Sequence, residues 1–417
     1  MTNFYRVSTA NMYDATLRNL NARQKSLVDL QENLTSGKRV VRASDDPVAA
    51  AQAARALTRI SRIQTEQRAL EVQRNAIAQA ESTLGDAVGL VQEIRQLVVA
   101  AGGGALKPED RKTYADQIQS LREQLTDVIN RKDTNGIPLL GALGSALQPF
   151  AGPLSGSPDY LFAGLPGQAG SSGTAIATTL DGHSALMFDP RRDGVYQAGV
   201  STIPADRSLT TSAITAVDRN QITGDGYRID FTAVGPGATP GTTTATYTLT
   251  NTTTGVTSAP VTVPDFASDK PATIAVTGVH GMTFSISGTP AAGDAVTLQP
   301  SPSLMSTIDS AIEGIRGAAN NNAATQAVGQ ALANIDAGME RLNTMRGYAG
   351  ELLNRADRIT GDQESRSIQL EADRSRAEDL DMLKGSSDFQ NANVGLEAAL
   401  KSYAQVQRLS LFNYVNG

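Results

Sequence analysis

From Ile63 the chain places an aliphatic residue at every seventh position, Ile63, Leu70, Ile77, Leu84, Val91 and Val98, without a miss over six positions. Seven residues are almost two turns of an α-helix, so these side chains fall in one row along one face. A row of that length must be covered by another helix. The same period precedes it: Tyr13, Leu20, Leu27 and Leu34 recur every seven residues, with Leu17 and Leu30 adding part of a second row. A third segment opens at Pro108 with Glu109 and Asp110 in its first turn, then runs Tyr114, Ile118, Leu121, Leu125, Val128 in steps of four and three. Gly102 to Gly104 supply the turn before it, which predicts that the second and third helices pack antiparallel.

The pattern returns near the other end of the chain, first as Val328, Leu332, Ile335, Met339 and Leu342, then more weakly through Ala349, Leu353, Ala356 and Leu370. Gly385 is read as an interruption. The last segment places Leu396, Leu400, Tyr403 and Leu411 toward one side. Between these halves, from about Gly141 to Pro300, the chain becomes rich in Gly, Thr, Pro and Ser, and the period changes to two. Tyr227, Ile229 and Phe231 alternate with polar neighbours, as do Ala245, Tyr247 and Leu249, and Met282, Phe284 and Ile286. The fold class expected is α+β: a long, coiled-coil-like helical bundle formed by both chain ends, with an inserted antiparallel β domain. The expected division is 1–41 with 385–417 as terminal helices, 42–150 with 303–384 as a helical bundle, and 151–302 as a β-rich domain.

Composition removes several functional classes. The net charge of −6 and pI near 5.2, with no basic stripe, argue against nucleic acid, which is held by clustered Lys and Arg. Cysteine is absent, and the two histidines, His183 and His280, have no carboxylate at a recurrent ligand spacing, so neither a metal, a cofactor nor a catalytic triad is expected. Gly224-Asp-Gly226 precedes a strand, which makes it a hairpin turn and no phosphate cradle. No stretch approaches the ~20 apolar residues of a membrane span, and the first twenty residues hold no secretory apolar core. From this alone the chain reads as cytosolic.

Residues 35–50 break the helical pattern. Gly37 suits the left-handed end of one helix, and Asp46 before Pro47 has the chemistry of an N-cap and first helical residue. Asp45 and Asp46 read as capping residues, since two adjacent carboxylates lack the third ligand a metal site needs.

This segment also carries a likeness. Leu34-Thr-Ser-Gly37-Lys-Arg-Val followed by Ala43-Ser-Asp-Asp-Pro47 resembles the stretch after the first helix in the bacterial flagellin family. Arg6-Val-Ser-Thr9 with Met12, Val91 through Ala100, Ser375 with Glu378, Asp379 and Asp381, and Ser410-Leu-Phe-Asn-Tyr-Val415 are similar to other parts of that family's two ends. Val48-Ala-Ala50, Tyr160-Leu-Phe-Ala-Gly164 and Gly288 through Asp294 resemble its hook-associated branch more than its filament flagellins. The resemblance implies a non-enzymatic structural subunit at the hook-filament junction, outside the cell, exported unfolded through the flagellar secretion channel without a cleaved signal peptide. It implies contacts with hook-associated protein 1, flagellin and further copies of the chain, through Tyr13, Leu17, Leu20, Leu27, Leu34, Leu396, Leu400, Tyr403 and Leu411, and a cytoplasmic chaperone on the C-terminal segment. Filament flagellin is the nearest alternative. From a different class, an adhesin or glycan-binding module on a helical stalk remains open.

Overall fold

The structure is a computed structural model that describes residues 9–104, 106–156, 158–202 and 209–415; within it the side chains of 9–13, 406 and 408–415 lie outside the description. Its helices are α1 (Thr9–Ser36), α2 (Pro47–Ala101), α3 (Pro108–Ile129), α4 (Gly182–Leu186), α5 (Pro190–Asp193), α6 (Leu304–Arg316), α7 (Asn321–Glu378) and α8 (Met382–Val415). The chain forms two compact units, residues 1–68 with 360–417, and residues 69–359. The long helices α2 and α7 contribute residues to both.

In the larger unit the heptad row becomes a helical core. Ile77, Leu84, Val91 and Val98 are wholly buried and Leu70 almost so, against Ile118, Leu125 and Val128 of α3 and Val328, Ile335, Leu342 and Ala349 of α7. Ile63, the first member of the row, is only half-buried and belongs to the other unit. Ion pairs give the register of α2 against α7: Arg95 with Asp336 at 2.6 Å, Glu81 with Arg346 at 2.6 Å, Arg74 with Asp357 at 3.2 Å. The numbers fall on one helix as they rise on the other, so the two run antiparallel. All three pairs are solvent-exposed and fix register more than they stabilise.

Helix α6 was not singled out in the sequence. Ser303 caps it, its hydroxyl accepting the Ser306 N–H at 3.0 Å. Leu304, Met305, Ile308, Ile312 and Ile315 bury its inner face in the same core. Two polar constructions tie this core together. Arg122 on α3 grips Asp309 on α6 through two hydrogen bonds of 2.6 and 2.7 Å, and the Tyr160 hydroxyl donates to the same carboxylate at 2.7 Å. Burial, and then this bond to an anion, push the Tyr160 phenol well above its ordinary pKa. At the end of the bundle, Arg111 is only 3% exposed and donates to the Leu106 carbonyl at 3.1 Å, the Asn321 side-chain oxygen at 2.7 Å and the Ala318 carbonyl at 3.4 Å. The Leu106 carbonyl stands just before the N-cap of α3, the Ala318 carbonyl just past the end of α6 and Asn321 at the start of α7, so one guanidinium ties three segments of the chain.

The same unit holds a second core, built by strands. One sheet orders β3 (Tyr196–Ser201), β12 (Ala295–Pro300), β6 (Tyr227–Pro236), β7 (Thr242–Asn251) and β8 (Val261–Thr262), with β9 (Phe266–Ala267) also on β7. Another orders β10 (Ala272–Val276), β11 (Met282–Gly288) and β4 (Leu209–Thr211), with β5 (Thr215–Ala216) on β11. A two-stranded ribbon joins β1 (Phe150–Ala151) to β2 (Leu161–Phe162). All pairings between these strands are antiparallel. The alternating residues read from the sequence, Tyr227, Ile229, Phe231, Ala245, Tyr247, Leu249, Met282, Phe284 and Ile286, all point into this core. Helical ends with an inserted antiparallel β region are thus the architecture the sequence periods describe.

Candidate functional site

In the smaller unit, α1 and α8 lie against each other. Leu34 approaches Gly385, the Arg23 guanidinium approaches Gly395, and Asn19 and Leu20 share a groove with Ala399 and Ser402. As positions fall on α1 they rise on α8, so the pair is antiparallel. Leu20 is buried between them; Leu27, Leu34, Leu396 and Tyr403 are half-buried; Leu17 is 38% and Leu400 50% exposed. Tyr13 and Leu411 lie outside the residues whose side chains are described. Two helices alone cannot cover both faces of either. Val28, Met382, Leu383 and Val394 remain open, Leu383 at 86% exposure and Val394 at 67%.

The break between α7 and α8 falls at Asp379–Asp381 and not at Gly385. The Asp381 carboxylate accepts the Leu383 and Lys384 N–H groups at 3.1 and 3.2 Å, and its carbonyl accepts Gly385 N–H at 2.7 Å, so α8 starts before the glycine. Gly385 instead serves packing. A β-carbon there would come within 2.8 Å of Leu380 Cδ2, with Leu34 Cδ2 at 3.4 Å, so its smallness lets the chain ends close on each other.

Residues 37–50 are clamped to this break. Gly37 has φ +68°, the left-handed conformation that ends α1. The next residues form a short antiparallel bridge with the returning chain: Leu380 N–H donates to Gly37 O at 2.9 Å and Arg39 N–H to Glu378 O at 2.7 Å. The Arg39 guanidinium reaches the Ala377 carbonyl at 2.7 Å and Asp46 Oδ2 at 3.2 Å. Glu378, almost buried, takes Lys38 at 3.1 Å and Arg374 at 3.3 Å. Beneath lies a small apolar core of Val40, Ala49, Ala53 and Ala377. Asp46 Oδ1 accepts the Ala49 N–H at 3.0 Å as α2 begins at Pro47, and Asp45 Oδ2 accepts Arg42 N–H at 2.8 Å. The Ala49 N–H, then the Arg39 side chain, hold the Asp46 carboxyl below its ordinary pKa. Both carboxylates therefore face main-chain amides in the manner of turn and cap residues.

The glycine yields a direct test. No atom lies within 4 Å of a β-carbon placed on Gly37, so Gly37→Ala meets no clash and pays only for the left-handed backbone. The expected loss is about 1 kcal/mol of unfolding free energy, measured by urea titration.

Known proteins share these ends. The pattern for the bacterial flagellin N-terminal helical region matches residues 7–143, and that for the bacterial flagellin C-terminal helical region matches residues 332–415. The flagellar hook-associated protein 3 of Salmonella typhimurium is 31% identical over 149 residues, 35% of this chain and 46% of that protein. Its counterpart in Escherichia coli is 32% identical over 150 residues, again 35% of this chain and 46% of the relative. The chain thus spans about half the length of these curated relatives. Among solved structures, flagellar hook-associated protein-3 from Legionella pneumophila superposes with a TM-score of 0.61 at 24% identity, over 76% of this chain and 96% of that one. At that identity the likeness speaks for the fold alone. The two matched regions together take in more than half of the chain, including α1, the clamp, α2, α3, most of α7 and α8. The chain belongs to the bacterial flagellin family.

Proposed function

We propose that this chain is a non-enzymatic structural subunit of the bacterial flagellum that joins hook to filament. The observation that carries the reading is the α1/α8 pair, which leaves large apolar side chains of both helices open to water. Fully burying a leucine is worth about 1.5–3 kcal/mol, so neighbouring helices gain several kcal/mol by covering Leu17, Leu383, Val394 and Leu400. The hook-associated protein 3 relatives favour the junction over the filament shaft.

In this reading residues 1–41 and 385–417 form the innermost layer of a tube, 42–150 with 303–384 the next, and 151–302 face outward. Tyr13, Leu17, Leu20, Leu27, Leu34, Leu396, Leu400, Tyr403 and Leu411 make the subunit contacts. The partners are hook-associated protein 1 on one side, flagellin on the other and further copies around the ring. A cytoplasmic chaperone holds the C-terminal segment before export through the flagellar channel, without cleavage of a signal peptide.

Deletion of the gene in its host, followed by electron microscopy, tests this. Cells are expected to keep hooks, lose filaments and release flagellin into the medium. Gold-labelled antibody on wild-type flagella is expected at the hook-proximal end alone. Label along the whole shaft would make the chain a filament flagellin, and filaments of normal number in the deletion strain would remove it from the path of assembly.

A further inference from the structure

Gln326, Gln330 and Asn334 stand four residues apart on α7 and so share one face. Each reaches into the strand-built region. Gln326 Oε1 accepts the Thr211 N–H at 2.6 Å, while its amide nitrogen donates to the Thr211 hydroxyl. Gln330 donates to the same hydroxyl at 3.1 Å and to the Ser212 carbonyl at 2.8 Å. Asn334 donates to the Tyr196 carbonyl at 3.0 Å. Gln330 is 4% exposed and Asn334 7%, so the bonds of these two are shielded from competing water, while Gln326 is half-buried.

The strands they meet are the terminal ones of two sheets. β4 pairs with β11 on one side only, and β3 closes the order β3-β12-β6-β7-β8. Alternate residues of an antiparallel strand turn their N–H outward. The Thr211 N–H, which would otherwise seek another strand, finds a glutamine oxygen instead. One helix face therefore takes the place of a neighbouring strand for both sheets.

The covalent links lie elsewhere. The chain enters the strand-built core at Val195–Tyr196 and leaves it at Pro300–Ser301, and these two crossings are side by side, the Ser301 N–H donating to Val195 O at 3.0 Å. Two adjacent crossings make a hinge. Asn334 holds the hinge itself, whereas Gln326 and Gln330 hold β4 at a distance from it along α7. Ala327 and Ala331, between them on the helix, line an open groove of about 280 Å³ shared with Ala198 and Val200, so apolar packing at this seam is incomplete and the amides, with the Ser310 hydroxyl that donates to Gln197 Oε1 at 2.9 Å, supply the attachment.

We propose that Gln326 and Gln330 form a latch that fixes the strand-built core on the helical core, and that releasing it lets the strand-built core swing on the 195–196 and 300–301 crossings. The device is independent of which flagellar part the chain serves.

The absence of native cysteine permits a clean test. Nitroxide labels on Glu123→Cys in α3 and Thr254→Cys in the turn after β7 report the distance distribution between the two cores by pulsed electron spin resonance. With Gln326→Ala and Gln330→Ala added, the distribution is expected to broaden about twofold, with circular dichroism of the folded chain retained. An unchanged width in the folded double variant overturns the latch. Were the double variant not to fold, the same label pair on Gln326→Ala alone gives the same two readings, broadened or unchanged.

Discussion

Asp309→Ala is expected to lower the unfolding free energy of the larger unit by about 3 kcal/mol, read by urea titration of the helical circular dichroism. The magnitude comes from what the substitution leaves behind. The Arg122 side chain is 11% exposed and loses both of its hydrogen bonds, so a guanidinium stays in a mostly dry place without its anion. The Tyr160 hydroxyl loses its acceptor at the same time. Its ring, 5.6 Å from the guanidinium carbon, still offers a cation–π contact, which returns a fraction of the loss. Asp309→Asn separates charge from hydrogen bonding: it keeps the shape and one acceptor, and is expected to cost about half as much. Equal losses for the two variants would place the whole effect in the charge. A loss under about 0.5 kcal/mol for alanine, the range of an ordinary surface change, would show that α3, α6 and the 158–165 loop do not depend on this carboxylate.

Asp309 also marks where sequence reading stops. The row from Leu70 to Val98 could be read because its period is local and survives in one helix; the alternation at Tyr227–Phe231 and Met282–Ile286 likewise needs no knowledge of a partner. Arg122, Tyr160 and Asp309 carry no such period. They meet only because α3, a loop and α6 converge, and the Arg122–Asp309 pair spans 187 positions. The clamp is more distant still, with Arg39 bonding the Ala377 carbonyl across 338 positions. Sequence gave the caps at Gly37, Asp46 and Pro47, whose chemistry is local, but not the return segment they hold. Gly385 misled for a related reason: glycine is a helix stop by propensity, yet here the close approach of Leu34 and Leu380 requires its missing side chain. Helix α6 went unseen because its apolar positions follow a Ser/Pro run that reads as loop, although Ser303 directly before an apolar run is an N-cap signal. The terminal seams showed that a cover was needed without saying which helix supplies it; α1 and α8 supply part of it to each other.

Leu383→Asp is expected to abolish assembly while leaving the isolated chain as stable as before. At 86% exposure the leucine contributes almost nothing to the monomer, so replacement should change unfolding by less than about 0.5 kcal/mol. An added carboxylate in the first turn of α8 faces the positive end of the helix dipole, which offsets any loss. Assembly reverses the sign. If a neighbouring helix covers this position, the parent gains about 1.5–3 kcal/mol per site, and the variant must bury an unpaired anion at greater cost. Each 1.4 kcal/mol is about tenfold in affinity, and every copy in a ring repeats the defect. The expected result is loss of swimming in a complemented deletion strain, with the variant secreted at parental amounts and melting at the parental temperature. Val256→Asp is the matched control: the valine is 66% exposed but lies in the region proposed to face outward, so motility should be unchanged. Full motility of the Leu383→Asp strain would mean that the first turn of α8 stays in water in the flagellum, and the subunit contacts would then have to be made by other residues.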